Sequence, residues 1–331
     1  MVYDVPQERL SVSQELQVIA LGSSLVELTP RQTGADLTGA DEYLALPSGA
    51  ASNFAIALAR LGVRVGLVTR VGDDELGQWL LGKLHAFGVV TEGLAQAVTG
   101  QLTPVSFGWM DGLGGKSFYF YRFPGYSDPL ATLTASEITS EQAAAGRIFD
   151  FSEAAIRSEP LRSAALRAAR LATEASREVC FAVNYRPSAW RGTSEDDTAE
   201  ILRTACGAAH IVAMNRDEAQ FVTGRAEVAD ALEDLKAMGP TLIAVTAGDE
   251  GAWVLAEGST IEVPPRRVNV LYDIGAGDTF HAGLLAAHLA GMHAERAARF
   301  ASDAAALRIS RAAAAPSPTF DEITALGDKR F

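Results

Sequence analysis

The sequence predicts one large α/β domain, a mostly parallel sheet covered by helices on both faces, with a small β excursion. Two observations carry this. From Val18 onward, short apolar runs of strand length alternate with segments of helical period, the order expected of βαβ units. Between about residues 98 and 123 that rhythm gives way to two alternating strands around a glycine-rich turn.

Taken in order, residues 1–15 are polar and acidic and read as a tail before a domain at 16–331. Val18-Ile19-Ala20-Leu21, closed by Gly22, is the first buried strand. Residues 49–61 repeat Ala51, Phe54, Ala55, Leu58 and Ala59 at helical spacing and stop at Gly62, which predicts a helix with a glycine end. A strand follows at 65–68 and a helix at 75–87, ended by Gly88. Strands at 104–110 and 116–121 flank Asp111-Gly112-Leu113-Gly114-Gly115, a hairpin signal, and with about 29–47 they form the excursion. Further strands are expected at 148–151, 180–184, 211–214, 242–246 and 253–255. Helices are expected at 161–176, 196–206, 216–222, 229–238, 278–290 and 295–309. The alanine runs at 304–306 and 312–315 read as helix filling, and Glu195-Asp196-Asp197 as a solvated helix start.

Composition excludes several function classes. With 48% hydrophobic and 21% charged residues in 331, the chain can bury a large core. Its net charge of −13 argues against a reader of phosphate backbones, which needs clustered Lys and Arg. Cys180 and Cys206 make neither a C-x-x-C pair nor a disulfide framework. The N-terminus shows no basic region followed by an apolar run, and no apolar run approaches the roughly 18 residues of a membrane span. A cytoplasmic protein without nucleic-acid or membrane partners is expected. The five histidines show no metal-ligand spacing.

The most informative stretch is Asp273-Ile274-Gly275-Ala276-Gly277-Asp278-Thr279-Phe280-His281-Ala282-Gly283, which opens a helix. Glycines in a turn before a helix let backbone N–H groups converge, and the helix start adds a positive dipole end. Such a nest suits a phosphoryl group, and Asp278 could take a proton from a hydroxyl within about 3 Å. On the residues alone the same motif is also a tight turn with an acidic helix cap. It is neither a P-loop nor a dinucleotide fingerprint.

Gly275-Ala276-Gly277-Asp278-Thr279-Phe280 with Ala282-Gly283 resembles the signature of the ribokinase-like, or PfkB, carbohydrate kinases. Four other segments resemble that family in order: Ser48-Gly49-Ala50-Ala51-Ser52-Asn53, Val71-Gly72-Asp73-Asp74, Asn215-Arg216-Asp217-Glu218, and Val245-Thr246 with Gly248 and Gly251. The resemblance implies a three-layer fold with a β lid and transfer of the γ-phosphoryl group of ATP to a sugar hydroxyl. It makes Asp278 the base and the N–H groups of Gly275, Ala276 and Gly277 the anion hole. Asn215 and Glu218 would organise Mg²⁺ through water, as hard oxygen donors suit that ion; the pair is equally a helix cap with its capping-box acid. Asn184, Asn215, Thr246, Gly248, Gly251 and Gly277 would meet the nucleotide. Glu27, Gly49, Asn53, Phe120, Arg122 and Arg186 would meet the sugar, and a homodimer is implied.

Phe118-Tyr119-Phe120-Tyr121-Arg122 and Asn184-Tyr185-Arg186-Pro187 are similar to segments of 2-keto-3-deoxygluconate kinases and of neighbouring fructokinases. A guanidinium can hold a carboxylate in two parallel bonds, so the two arginines favour a sugar acid over a neutral hexose or ribose. A fructokinase is the alternative enzyme, and a catalytically silent sugar- or nucleotide-binding regulator the alternative of another class. Four positions depart from the family pattern. Glu27 replaces an aspartate, Ala182 an acid and Glu153 a glycine, and Tyr272-Asp273 stand where Asp-Thr is usual. The last bears on a monovalent cation such as K⁺ near that loop.

Overall fold

The computed structural model describes residues 15–32, 35–110, 116–121, 128–190 and 192–326. Its strands are β1 (Val18–Leu21), β2 (Leu25–Pro30), β3 (Tyr43–Ser48), β4 (Val65–Gly72), β5 (Ala95–Val98), β6 (Val105–Met110), β7 (Lys116–Tyr121), β8 (Ile148–Ser152), β9 (Glu178–Ala182), β10 (Ile211–Asn215), β11 (Leu242–Thr246), β12 (Ala252–Ala256) and β13 (Ser259–Val263). The helices are α1 (Ala50–Arg60), α2 (Glu75–Ala86), α3 (Ser140–Ala144), α4 (Leu161–Glu174), α5 (Glu195–Gly207), α6 (Arg216–Thr223), α7 (Val228–Met238), α8 (Ala276–Leu289), α9 (Ala294–Ile309) and α10 (Phe320–Thr324).

Nine strands form one sheet in the order β13-β12-β11-β10-β9-β8-β1-β4-β5. All its pairs are parallel except β11–β12 and β12–β13. Successive strand residues face opposite sides, and the core divides accordingly. Val18 and Ala20 pack with α1, α2, α8 and α9 on one face, whereas Ile19 and Leu21 pack with α4, α5, α6 and α7 on the other. The result is three layers.

A second sheet, β3-β2-β6-β7, supplies the excursion. It begins earlier than the sequence suggested, at Leu25, because β1 and β2 are separated only by Gly22, Ser23 and Ser24. The short apolar run around Ala95 belongs instead to the large sheet, as β5 beside β4. The expected hairpin turn at 111–115 lies outside the described residues, as does most of the tail. The alanines at 312–315 form a turn and not helix filling; Pro316 and Pro318 follow closely and disfavour a helical backbone before them.

The central helices α8 and α9 pack closely because Gly283 has no side chain: a Cβ there would lie 2.9 Å from Ala301 Cα. Gly283→Val should therefore cost about 2 kcal/mol through overpacking, read as a lower denaturant midpoint with an unchanged m-value.

Candidate active site

Parallel strands end together, so the loops after β8, β9, β10 and β11 line one crevice. The small sheet stands over its far end, and the two enclose a cavity of about 860 Å³. That volume lies within the range of small-molecule sites.

Helix α8 enters this cavity through Gly275, whose φ of +85° is the left-handed region open to glycine. The first-turn N–H groups at Ala276 and Gly277 lie on the cavity wall, where a helix N-terminus lacks intrahelical acceptors. Asp278 follows immediately. Asn53 Nδ2, from α1, donates to its Oδ2 at 3.0 Å, and Asn184 Nδ2 donates to its Oδ1 at 3.0 Å. Strand β9 ends at Ala182, two residues short of the expected end at Asn184, which therefore lies in the loop beyond it with a φ of 41°.

Beneath Asp278 lies a buried cluster of Asp150, Cys180 and His281. Burial pushes the Asp150 carboxyl and the Cys180 thiol well up and the His281 imidazole down to about 3, in each case disfavouring the charged form, and His281 Nε2 stands 3.2 Å from Asp150 Oδ1. Cys180 Sγ and His281 Nε2 are 3.0 Å apart. Two tetrahedral ligands of one zinc ion would stand roughly 3.5 Å apart, so this is hydrogen-bond spacing. His281 also stacks on Phe54 at 4.4 Å. The cluster forms the buried floor beneath Asp278.

On the small-sheet side, Glu27 is buried on β2. Ser48 Oγ donates to its Oε2 at 2.9 Å and the Tyr272 hydroxyl to its Oε1 at 2.5 Å. Burial raises its carboxyl pKa while these two bonds oppose the rise. Two of the sequence's departures thus meet in one hydrogen bond. Gly49, with φ +103°, could carry no side chain, since a Cβ would fall 2.4 Å from Ser23 O. Phe118 and Phe120 stack with centroids 6.3 Å apart and line the same wall. Arg186 also lines the cavity, one of its Nη groups donating to Tyr185 O at 3.2 Å. Arg122 lies outside the described residues.

The Glu153 departure places no free carboxylate in the crevice. Arg157 grips it with Nε and Nη2 at 2.9 and 2.8 Å, and the Trp190 indole N–H also donates to it. Arg157 thereby reaches the cavity wall. Sequence reasoning passed it over, although the spacing of Glu153 and Arg157 by four was a signal. Ala182 lines the crevice beside Asn184 without filling it.

At the opposite end, Asn215 and Glu218 form a capping box. Asn215 Oδ1 accepts from Glu218 N at 2.9 Å, and Glu218 Oε2 accepts from Asn215 N at 2.8 Å. The Tyr185 N–H donates to the other Glu218 oxygen at 2.8 Å. Burial raises the Glu218 carboxyl pKa, opposed by these backbone bonds and by Arg186. Thr246, Gly248 and Gly251 line this end too. Sequence reading missed its outer wall, where Val268, Val270, Ala305 and Ile309 close the cavity from a loop and helix with no motif of their own.

The chain also matches known proteins in sequence and in fold. The family model described as "pfkB family carbohydrate kinase" matches residues 15–320. The chain belongs to the PfkB family. It is 32% identical over 322 residues to fructokinase-1 of Oryza sativa subsp. japonica, covering 93% of this chain and 97% of that one. It is 28% identical over 321 residues to a 5-dehydro-2-deoxygluconokinase of Shouchella clausii, covering 96% and 97%. Among solved structures, a double mutant of Vibrio cholerae O395 fructokinase, bound to fructose, ADP and potassium ion, superposes with a TM-score of 0.80. That pair shares 26% identity over 95% of this chain and 99% of the other. This PfkB chain is an ATP-dependent carbohydrate kinase on the ribokinase-like fold. No helix among its described residues is long and apolar enough to cross a membrane.

Two measurements check the buried floor. The Cys206 thiol is pushed up to about 12 by burial and Cys180 is raised as well, so thiol reagents at pH 8 should label neither until the protein unfolds. Because the His281 pKa falls to about 3 in the fold, its contribution to stability is full above pH 6.5. It is lost as pH drops from 6.5 toward 3, by about 1.4 kcal/mol per unit. The urea midpoint of His281→Gln should therefore depend less on pH across that window than that of the unaltered chain.

Proposed function

We propose that this kinase phosphorylates a hydroxyl of a sugar acid of the 2-keto-3-deoxygluconate type by in-line transfer, with Asp278 as general base. The observation that carries this reading is the Asp278 carboxylate, fixed by two amides at the mouth of a glycine turn inside the crevice. The sugar hydroxyl gives its proton to an Asp278 oxygen as its own oxygen forms the new P–O bond. The bond from γ-phosphorus to the β,γ-bridging oxygen breaks, ADP leaves, and Asp278 returns the proton to solvent. The N–H groups of Gly275, Ala276 and Gly277 meet the charge gathering on the equatorial phosphoryl oxygens.

The nucleotide then lies along Asn184, Asn215, Thr246, Gly248 and Gly251. Asn215 and Glu218 offer hard oxygens whose remaining lone pairs suit the water shell of Mg²⁺, which when bound neutralises phosphate charge. The sugar lies between Gly49, Asn53, Glu27 and Phe120, under the small sheet, which acts as a lid that excludes water. Arg186 and Arg157, both on the cavity wall, support a carboxylate-bearing substrate, to which the sequence resemblance adds Arg122. The exposed faces of Tyr119 and Tyr121 on β7 support lid-to-lid pairing in a homodimer, and the two free cysteines support a reducing, cytoplasmic location.

Fructose is the second reading, favoured by the fructokinase relative. A coupled ADP-release assay separates the two. Arg186→Met should cut kcat/KM for 2-keto-3-deoxygluconate at least tenfold and leave that for fructose within about threefold. A tenfold loss on fructose with none on the acid contradicts the sugar-acid reading. Asp278→Asn should lower kcat by about 10²–10⁴ while MgADP still binds. Undiminished turnover would remove Asp278 from the role of base.

A further inference from the structure

The turn carrying Gly275 is backed by a buried cation. Arg308, in the last turn of α9, is 8% exposed, and its buried Nη1 has no hydrogen-bond partner among the described residues. Its guanidinium carbon stands 5.3 Å over the Tyr272 ring. A Cβ built on Gly275 would come to 3.9 Å from Arg308 Nε, so the guanidinium lies directly behind the turn. Helix α9 also anchors the segment leading into the turn, since Ile309 O accepts from Leu271 N at 2.8 Å and from Tyr272 N at 3.1 Å. The Tyr272 hydroxyl donates a hydrogen bond to buried Glu27, which lies within electrostatic reach of Arg308.

A cation at a helix C-terminus is favourable, but an exposed Lys or Arg achieves that at less cost. Burying a guanidinium with an unmet N–H costs several kcal/mol unless a nearby negative charge compensates. Glu27 supplies part of that charge. A phosphate on the cavity side of the Gly275 turn would supply the rest, across a gap of low dielectric where the attraction is large. A monovalent ion fits poorly at the same place. It requires a shell of oxygens, whereas Arg308 only donates and repels a second cation, and the Tyr272 oxygen is committed to Glu27.

We propose that Arg308 is a fixed internal counter-charge behind the phosphate-cradling turn, and that this kinase works without K⁺ there. The proposal rests on the assignment of Gly275–Gly277 as that cradle. Arg308 acts through the turn and is a positioning residue, not a catalytic one.

The test is the affinity, by calorimetry, for Mg²⁺ with AMP-PNP, a non-transferring ATP analogue that carries the γ-phosphoryl group, in KCl and in tetramethylammonium chloride at equal ionic strength. The unaltered enzyme should bind within twofold in the two salts. Arg308→Met should lose at least tenfold in affinity, and Arg308→Lys should recover most of it. A tenfold dependence of the unaltered enzyme on K⁺ overturns the proposal. So does an Arg308→Met enzyme that is less heat-stable yet binds the analogue normally, the pattern of a helix-end residue alone. The salt comparison needs no variant, so it decides even if Arg308→Met fails to fold. Analogue binding no tighter than that of MgADP in either salt overturns the cradle assignment itself, an outcome distinct from K⁺ dependence.

Discussion

The site depends on the placement of one carboxylate. Asp278 is held by Asn53 and Asn184, which lie 225 and 94 residues away in the chain, so neither bond can form until the fold is complete. One amide comes from α1, on one face of the large sheet, and the other from the crossover that leaves β9. Each fixes one carboxylate oxygen, which limits rotation of the group. The parallel sheet makes this convergence possible, because its strand ends share one edge.

Charge is distributed around that carboxylate with economy. Directly below it, burial disfavours the charged forms of Asp150, Cys180 and His281. To one side, Glu153 is neutralised by Arg157, and to another Glu27 is held by Ser48 and Tyr272 within reach of Arg308. The chain's net charge of −13 says little about an anionic ligand, since the local donors are a helix start and a few arginines.

Much of this was legible in the sequence. Period-two and helical-period patterns report on faces, and the two core clusters divide by strand parity as those patterns require. The Gly275–Asp278 stretch was legible because glycine at a left-handed helix start leaves few alternatives. The capping box at Asn215 and Glu218 was also readable, being local. Contacts formed between distant segments were not. Nothing in one dimension joins Glu27 to Tyr272, although each was singly marked as unusual. Strands β2 and β3 have only weakly alternating patterns, since β2 is buried on both sides and β3 is mostly half-exposed, with Ala45 exposed and Ser48 buried. The outer wall at Val268, Val270 and Ile309 belongs to no motif, because apolar contact with a flat ligand needs shape and not residue identity.

The most direct test of the account is a crystal structure with MgADP, aluminium fluoride and 2-keto-3-deoxygluconate. The account predicts the acceptor oxygen within about 3 Å of an Asp278 oxygen, with the fluoride facing the N–H groups of Gly275–Gly277. An acceptor oxygen bound instead to Glu27, beyond about 5 Å from Asp278, or a fluoride turned away from that turn, would contradict it.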